Sequence, residues 1–292
     1  MTRRGDAETR RGGEGEKGDA VTRSPCLPLS PSPPLRVSPC RLLVDPPASG
    51  AWNMAVDEVL WEWCTRTAGC CWRFYRWEEP TVSLGYFQAF EDRWQHPASR
   101  SCPIVRRASG GGAIVHDAEL TYAMAVPLTH AMAGQRQALY GAVHATLIET
   151  LADFGIAALL HGDTPPPRES PRPFLCFQRR SPGDVLVGEV KIAGSAQRRN
   201  RSAVLQHGSV LWARSTAAPE LEGLKETTRL AASLDELAAR WLERLAQRLD
   251  WVWCPESLSL EERDRAAHLA AGKYAADSWT KHRNRLNLRD SL

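Results

Sequence analysis

After Ser49 the apolar residues Trp52, Val56, Val59, Leu60 and Trp63 return every third or fourth position, which places them on one face of a helix capped by that serine. The period then shortens. Runs at 72–77, 81–84, 104–107, 113–115 and 121–126 are brief, rich in β-branched and aromatic residues, and read as strands. Leu139, Val143, Leu147, Leu151 and Phe154 restore the helical spacing as far as Gly155, a residue suited to ending a helix. Further on, 184–211 reads as a β-meander with a single lysine, Lys191, in its middle. Ser233 with Glu236, and Ser259 with Glu262, have the spacing of capping boxes and predict two late helices. Residues 162–173 are crowded with proline and predict an irregular surface loop that delivers the chain to Cys176. Strands and helices mixed without regular βαβ alternation argue for an α+β fold, a mixed central β-sheet with flanking helices.

Composition narrows the picture modestly. At 292 residues, 43% hydrophobic and 24% charged, the chain can bury a sizeable core. Residues 1–36 carry charge, glycine and then proline, with too little apolar area to offset ordering, and are expected to be a disordered N-terminal extension. That leaves a folded domain over 37–250 and a helical C-terminal tail over 251–292. A net charge of +3 gives no reason to expect a nucleic-acid or membrane partner. The eight cysteines form no C-x-x-C pair, which argues against a zinc site or a disulfide framework. No apolar run reaches the roughly 18 residues of a membrane span, and the polar N-terminus argues against secretion, so a cytoplasmic location with reduced thiols is expected.

Candidate chemistry concentrates in two stretches. In Arg106-Arg107-Ala108-Ser109-Gly110-Gly111-Gly112-Ala113-Ile114-Val115-His116-Asp117, three glycines separate two strands. Either they make a tight turn, or their bare backbone lets a ligand approach, with Arg106, Arg107 and His116 beside it. In the second stretch, Lys191-Ile192-Ala193-Gly194-Ser195-Ala196-Gln197 runs on to Leu205-Gln206-His207-Gly208-Ser209, and small residues near Lys191 leave room for a ligand on its face.

Together these segments resemble the lipoate/biotin protein ligase family, in which a glycine loop and a lysine strand build one acyl pocket. Asn53-Met54-Ala55-Val56-Asp57-Glu58, Phe74-Tyr75-Arg76-Trp77, Pro80-Thr81-Val82-Ser83-Leu84-Gly85, and Lys273-Tyr274 with Trp279 fall in the family's order. The resemblance covers about 40–215 strongly and the remainder to 280 weakly, and implies a ligase-like catalytic domain. Leu175-Cys176-Phe177 stands where the octanoyltransferase branch carries its cysteine, which ATP-dependent lipoate ligases do not need. On that branch Cys176 and Lys191 are the expected catalytic residues. Arg76, Arg107, Ser109, Gly110, Gly111, Gly112, His116, Gly194, Ser195 and His207 are the expected substrate-binding residues, with no metal.

The implied reaction moves an octanoyl or lipoyl group from acyl carrier protein, through a thioester on Cys176, to a lysine of a lipoyl domain. The acceptors would be 2-oxo acid dehydrogenases or the glycine cleavage H protein, and no cofactor would be consumed. Two alternatives stay open: an ATP- and magnesium-dependent lipoate ligase, and a non-catalytic acyl-binding protein. Read alone, Cys176 is one packing cysteine among eight, as Cys64, Cys70, Cys71 and Cys102 are taken to be, and Lys191 a solvated strand residue; it is their context that points to chemistry. If Lys191 acts electrostatically, Lys191→Met should cost activity far more than stability. Arg179, Arg180, Arg198, Arg199 and Arg201, with Arg168 and Arg172, would steer an acidic donor.

Overall fold

The helix predicted after Ser49 forms because the Ser49 hydroxyl accepts from the Trp52 amide, and it ends where Ala68 takes a left-handed conformation at φ 55°. This computed structural model describes residues 37–162 and 173–283; the expected N-terminal extension and most of the proline-rich loop lie outside them. In chain order the elements are β1 (Ser38–Val44), α1 (Gly50–Thr67), β2 (Cys70–Tyr75), β3 (Thr81–Leu84), β4 (Ile104–Arg106), β5 (Ile114–His116), β6 (Glu119–Pro127) and α2 (Arg136–Asp153). Then come β7 (Leu159–Leu160), β8 (Val185–Val187), β9 (Val190–Arg199), β10 (Ala203–Leu211), α3 (Leu224–Thr227), α4 (Leu234–Leu249), β11 (Trp251–Pro255), α5 (Leu260–Leu269) and α6 (Asp277–Thr280).

Eight strands make one sheet in the order β11-β1-β2-β6-β10-β9-β8-β7, and β4-β3-β5 make a second, smaller one. The pairs β11/β1 and β1/β2 are parallel and the other pairs of the large sheet antiparallel, so the sheet is mixed, as expected. Its central strands β2, β6 and β10 are buried along their whole length, which is why they read as apolar runs without alternation. On one face, Trp72 stacks on Tyr122 at 4.7 Å and meets Trp241 of α4 edge-on, with α2 completing the cluster. The other face packs against α1 and α5.

Both capping boxes are present, at Ser233/Glu236 and Ser259/Glu262. The segment expected to be a helical tail from residue 251 opens instead with β11, which pairs with β1 from Ser38↔Trp251 onward. Its apolar Trp251 and Trp253 joined too short a run to announce a strand. From α5, Glu262 bonds Arg41 of β1 at 2.7 Å, and beyond it Lys273 bonds Glu58 of α1 at 2.7 Å, tying this segment to the core. Among the described residues, no helix is long and apolar enough to cross a membrane.

Candidate active site

The glycine loop joins β4 to β5 and is shaped by contacts only glycine permits. A Cβ on Gly85 would collide with the Gly111 carbonyl, and Gly111 itself sits at φ +99°. Arg107, 3% exposed, staples the loop. Its Nη2 donates to the carbonyls of Gly110 at 3.0 Å and Gly112 at 2.9 Å, while Nη1 reaches the Ser83 carbonyl and hydroxyl, both at 2.7 Å. Burial pulls its pKa down from 12.5 to about 10, the Cys176 sulfur acting in the opposite direction, so Arg107 remains cationic at neutral pH.

Cys176 is brought to this loop by two backbone bonds. Ala113 donates to Phe174 O at 3.1 Å, and Cys176 donates to Ala113 O at 2.7 Å. Facing it from β9, the Lys191 Nζ lies 3.7 Å from Cys176 Sγ. The same ammonium donates to the carbonyls of Cys176 and Arg179, each at 3.3 Å, and pairs with Asp184 Oδ2 at 2.7 Å. Lys191 is therefore neither solvated nor on the outer face: it and Asp184 are a buried pair, with side chains 2% and 3% exposed.

Two histidines stand on the other side. His116 Nδ1 donates to Glu119 and its Nε2 accepts from Ser83 Oγ at 2.6 Å, so the chain Arg107–Ser83–His116–Glu119 links a cation to a carboxylate through neutral groups. Trp77 stacks on His116 at 3.9 Å, and burial, only partly opposed by Glu119, keeps its pKa below the usual value. His207 bonds Ser109 through Nε2 and Asp57 Oδ2 through Nδ1 at 3.1 Å.

Together Met54, Tyr75, Ile114 and Phe177 with Arg107, Gly110, Gly111, His116, Cys176, Gly194, Ser195 and His207 line one largely apolar pocket, about 470 Å³ with its open mouth included. Cys176 also edges a more open groove past Phe87, Gln88, Gly112 and Arg179. Ser109 is fully buried just behind the first pocket. Arg76 is the exception among the expected residues. Alternation sends its neighbours Tyr75 and Trp77 inward and Arg76 outward, where it pairs with Asp235 of α4.

Sequence reasoning missed Asp57 and Asp184, whose partners were not readable from local spacing, and Tyr75 and Met54 as pocket walls. It also missed His144 on α2. Because the Gly183 carbonyl can only accept, His144 Nδ1 donates to it at 2.6 Å, and Nε2 must accept from Ser195 Oγ at 2.6 Å. Ser195 in turn accepts from Tyr122 and Tyr122 from Gln206 at 3.0 Å, a directed chain under the pocket wall.

Burial lowers the His144 pKa from 6.5 to about 4. Between those values the unfolded chain takes up a proton that the folded one refuses, so stability should fall as pH drops from about 6.5 and level off below about 4, by up to about 3 kcal/mol. Urea unfolding of the wild type and His144→Gln across pH 4–7 should show a smaller loss in the variant; parallel curves would assign the acid sensitivity elsewhere.

Of the cysteines, burial pushes Cys70 up to about 11 and Cys71 up to about 12, which suits packing rather than reactivity, and Cys64 and Cys102 are likewise buried with raised values. Among the described residues no group of three or more His, Cys, Asp or Glu side chains could hold a metal ion. Of the arginines expected to steer a donor, Arg180 bonds Glu189 at 2.6 Å, Arg199 the Ala133 carbonyl at 2.8 Å, and Arg198 lies 5.4 Å from the Tyr86 ring centre; Arg168 and Arg172 lie outside the described residues.

Comparison with known proteins places this geometry. Residues 49–229 match the family described as the lipoyl protein ligase A/B catalytic domain. The chain is 31% identical over 260 residues to octanoyltransferase LipM of Geobacillus kaustophilus, covering 78% of this chain and 93% of the relative. It is 30% identical over 265 residues to octanoyltransferase LipM of Bacillus subtilis, covering 81% and 95%. Among solved structures, lipoate-protein ligase A bound with ATP superposes with TM-score 0.67 at 20% identity, over 84% of this chain and 98% of that one. A bipartite lipoate protein ligase from Thermoplasma acidophilum gives 0.68 at 18% identity, over 86% and 99%. At such identities these structures speak for the fold.

Proposed function

The chain belongs to the lipoyl protein ligase A/B catalytic-domain family, and within it we propose an octanoyltransferase that works through an acyl-enzyme on Cys176. The observation that carries this reading is the Lys191 ammonium 3.7 Å from Cys176 Sγ at the mouth of an apolar pocket, in a chain whose relatives of matching length are octanoyltransferases. A ligase that activates its acid with ATP has no use for a thiol there.

In the first half-reaction the Cys176 thiolate attacks the carbonyl carbon of the octanoyl thioester, the bond to the donor's sulfur breaks with its electron pair, and the donor leaves as a thiolate that takes up a proton from solvent. Lys191, and Arg107 across the pocket, supply positive charge where the carbonyl oxygen becomes anionic. The octanoyl chain lies along Met54, Tyr75 and Ile114, its burial favourable by about 0.8 kcal/mol per CH₂. In the second half-reaction the neutral amine of a lipoyl-domain lysine attacks the thioester carbonyl carbon, the bond to Cys176 Sγ breaks to restore the thiolate, and the amide forms as the surplus amine proton passes to solvent. The donor is acyl carrier protein, an acidic protein that Arg179, Arg198 and Arg201 would steer toward Cys176.

Purified protein mixed with octanoyl acyl carrier protein and an apo lipoyl domain, without ATP, should yield the octanoylated domain. A requirement for ATP and magnesium would instead indicate a ligase, and bound acyl group without product a binding protein.

A further inference from the structure

Cys176 stands where two cavities meet. It and Gly111 line both the apolar pocket and the open groove that runs past Phe87 and Arg179. A thioester has two arms, which leave the carbonyl carbon in different directions. With the octanoyl arm in the apolar pocket, the groove is left to the arm that carries the donor's sulfur. Its walls are mixed, Phe87 and Phe174 apolar, Gln95 and Ser181 polar. Such walls match an arm in which methylenes alternate with amides. The pantetheine arm of an acyl carrier has that make-up, its first amide beginning two methylenes beyond the sulfur.

Arg179 is the cation in this groove. It follows the 3₁₀ turn Cys176–Gln178 and is partly exposed. Its backbone is committed, the amide donating to Cys176 O at 3.2 Å and the carbonyl accepting from Lys191 Nζ at 3.3 Å. Its guanidinium is not. Among the described residues it has no hydrogen-bond or ion-pair partner, and Asp92, the carboxylate that lines the groove, accepts instead from Gln95 at 3.1 Å. The guanidinium lies on the bare backbone of Gly112, where a Cβ would overlap it, while Arg107 lies against Gly111. Unlike Gly111, Gly112 has no left-handed backbone to explain it, so its missing side chain serves the close approach of Arg179. A guanidinium held in place without an acceptor of its own is set to donate to a carbonyl in the groove.

We propose that Arg179, seated on Gly112, donates to the first amide carbonyl of the donor's pantetheine arm and so selects carrier-type thioesters, an assignment that rests on the transferase reading. The contact is a hydrogen bond at short range. It therefore acts on an uncharged donor, which steering by net charge does not.

Two uncharged octanoyl thioesters of equal length test it: one on N-acetylcysteamine, which keeps that amide, and one on pentanethiol, which has none. Acylation of Cys176 by each is followed by intact-protein mass spectrometry in wild type, Arg179→Met and Gly112→Ala. The two thiols differ in leaving ability, but that difference cancels when the ratio of the two rates is compared between enzymes. The ratio should favour the amide donor about 10- to 100-fold more in wild type than in Arg179→Met, the range of a hydrogen bond to a charged group, with the pentyl donor changed by less than about threefold. Gly112→Ala should show the same loss, because its Cβ displaces the end of a flexible side chain and not backbone, and it carries the test should Arg179→Met fold poorly. Discharge of the acyl-enzyme to an apo lipoyl domain should keep its wild-type rate. An unchanged ratio, or equal slowing with both donors, would overturn the assignment, the second by showing that Arg179 supports the loop or the nucleophile. Slowed discharge alone would give the groove to the acceptor and overturn it too, as would reaction of wild type with octanoyl carrier protein but with neither small donor. If wild type acquires no adduct from any donor, the transferase reading itself fails and takes this assignment with it.

Discussion

Cys176→Ala is expected to lose the acyl-enzyme adduct and octanoyl transfer together, by about 10⁴-fold or more, while unfolding within about 0.5 kcal/mol of wild type. The substitution removes one sulfur from a half-buried position whose backbone bonds, to Ala113 and Arg179, do not involve the side chain. The competing nucleophiles are poorly placed: five of the seven described cysteines are buried, and Cys254 lies on the edge strand β11. Intact-protein mass spectrometry after incubation with octanoyl carrier protein should give one adduct on wild type, lost with hydroxylamine, and none on the variant. An adduct that persists would place the nucleophile on another residue.

What the sequence made legible, and what it hid, follows the range of the interactions. Ser49, Ser233 and Ser259 announce helices because a cap and its partner lie three residues apart. The glycine loop is legible because three consecutive glycines mark either a tight turn or a close approach, although Gly85, the residue that makes the tightest approach, stands alone some 25 positions upstream. Arg76 was misplaced because a motif match says which strand a residue lies on but not which way it points. Asp57 was invisible as a functional group because its partner His207 is 150 residues away, and on α1 it looks like an ordinary helical carboxylate. β11 was missed because a strand added at a sheet edge depends on the strand it pairs with, here β1, more than on its own five residues.

Asp184 changes the expectation for Lys191 most. A solvated or ligand-facing lysine could be truncated at little cost, but Lys191→Met leaves Asp184 with its Oδ2 accepting from the Ser181 amide at 2.7 Å and no cation beside it. The variant should therefore lose about 3 kcal/mol of stability as well as about 10²- to 10³-fold in transfer rate. Stability loss alone would make the activity result uninformative, so the second substitution matters. Lys191→Met with Asp184→Asn replaces the uncompensated carboxylate by a neutral amide of the same shape, which can still bond Tyr140 and Ser181. Urea midpoints should return most of the way to wild type in the double variant, whereas transfer at a temperature where both proteins are folded should stay at the level of the single one. Recovery of turnover to within about threefold of wild type would mean that Lys191 serves only to balance Asp184 and that the charge beside Cys176 contributes nothing to the chemistry.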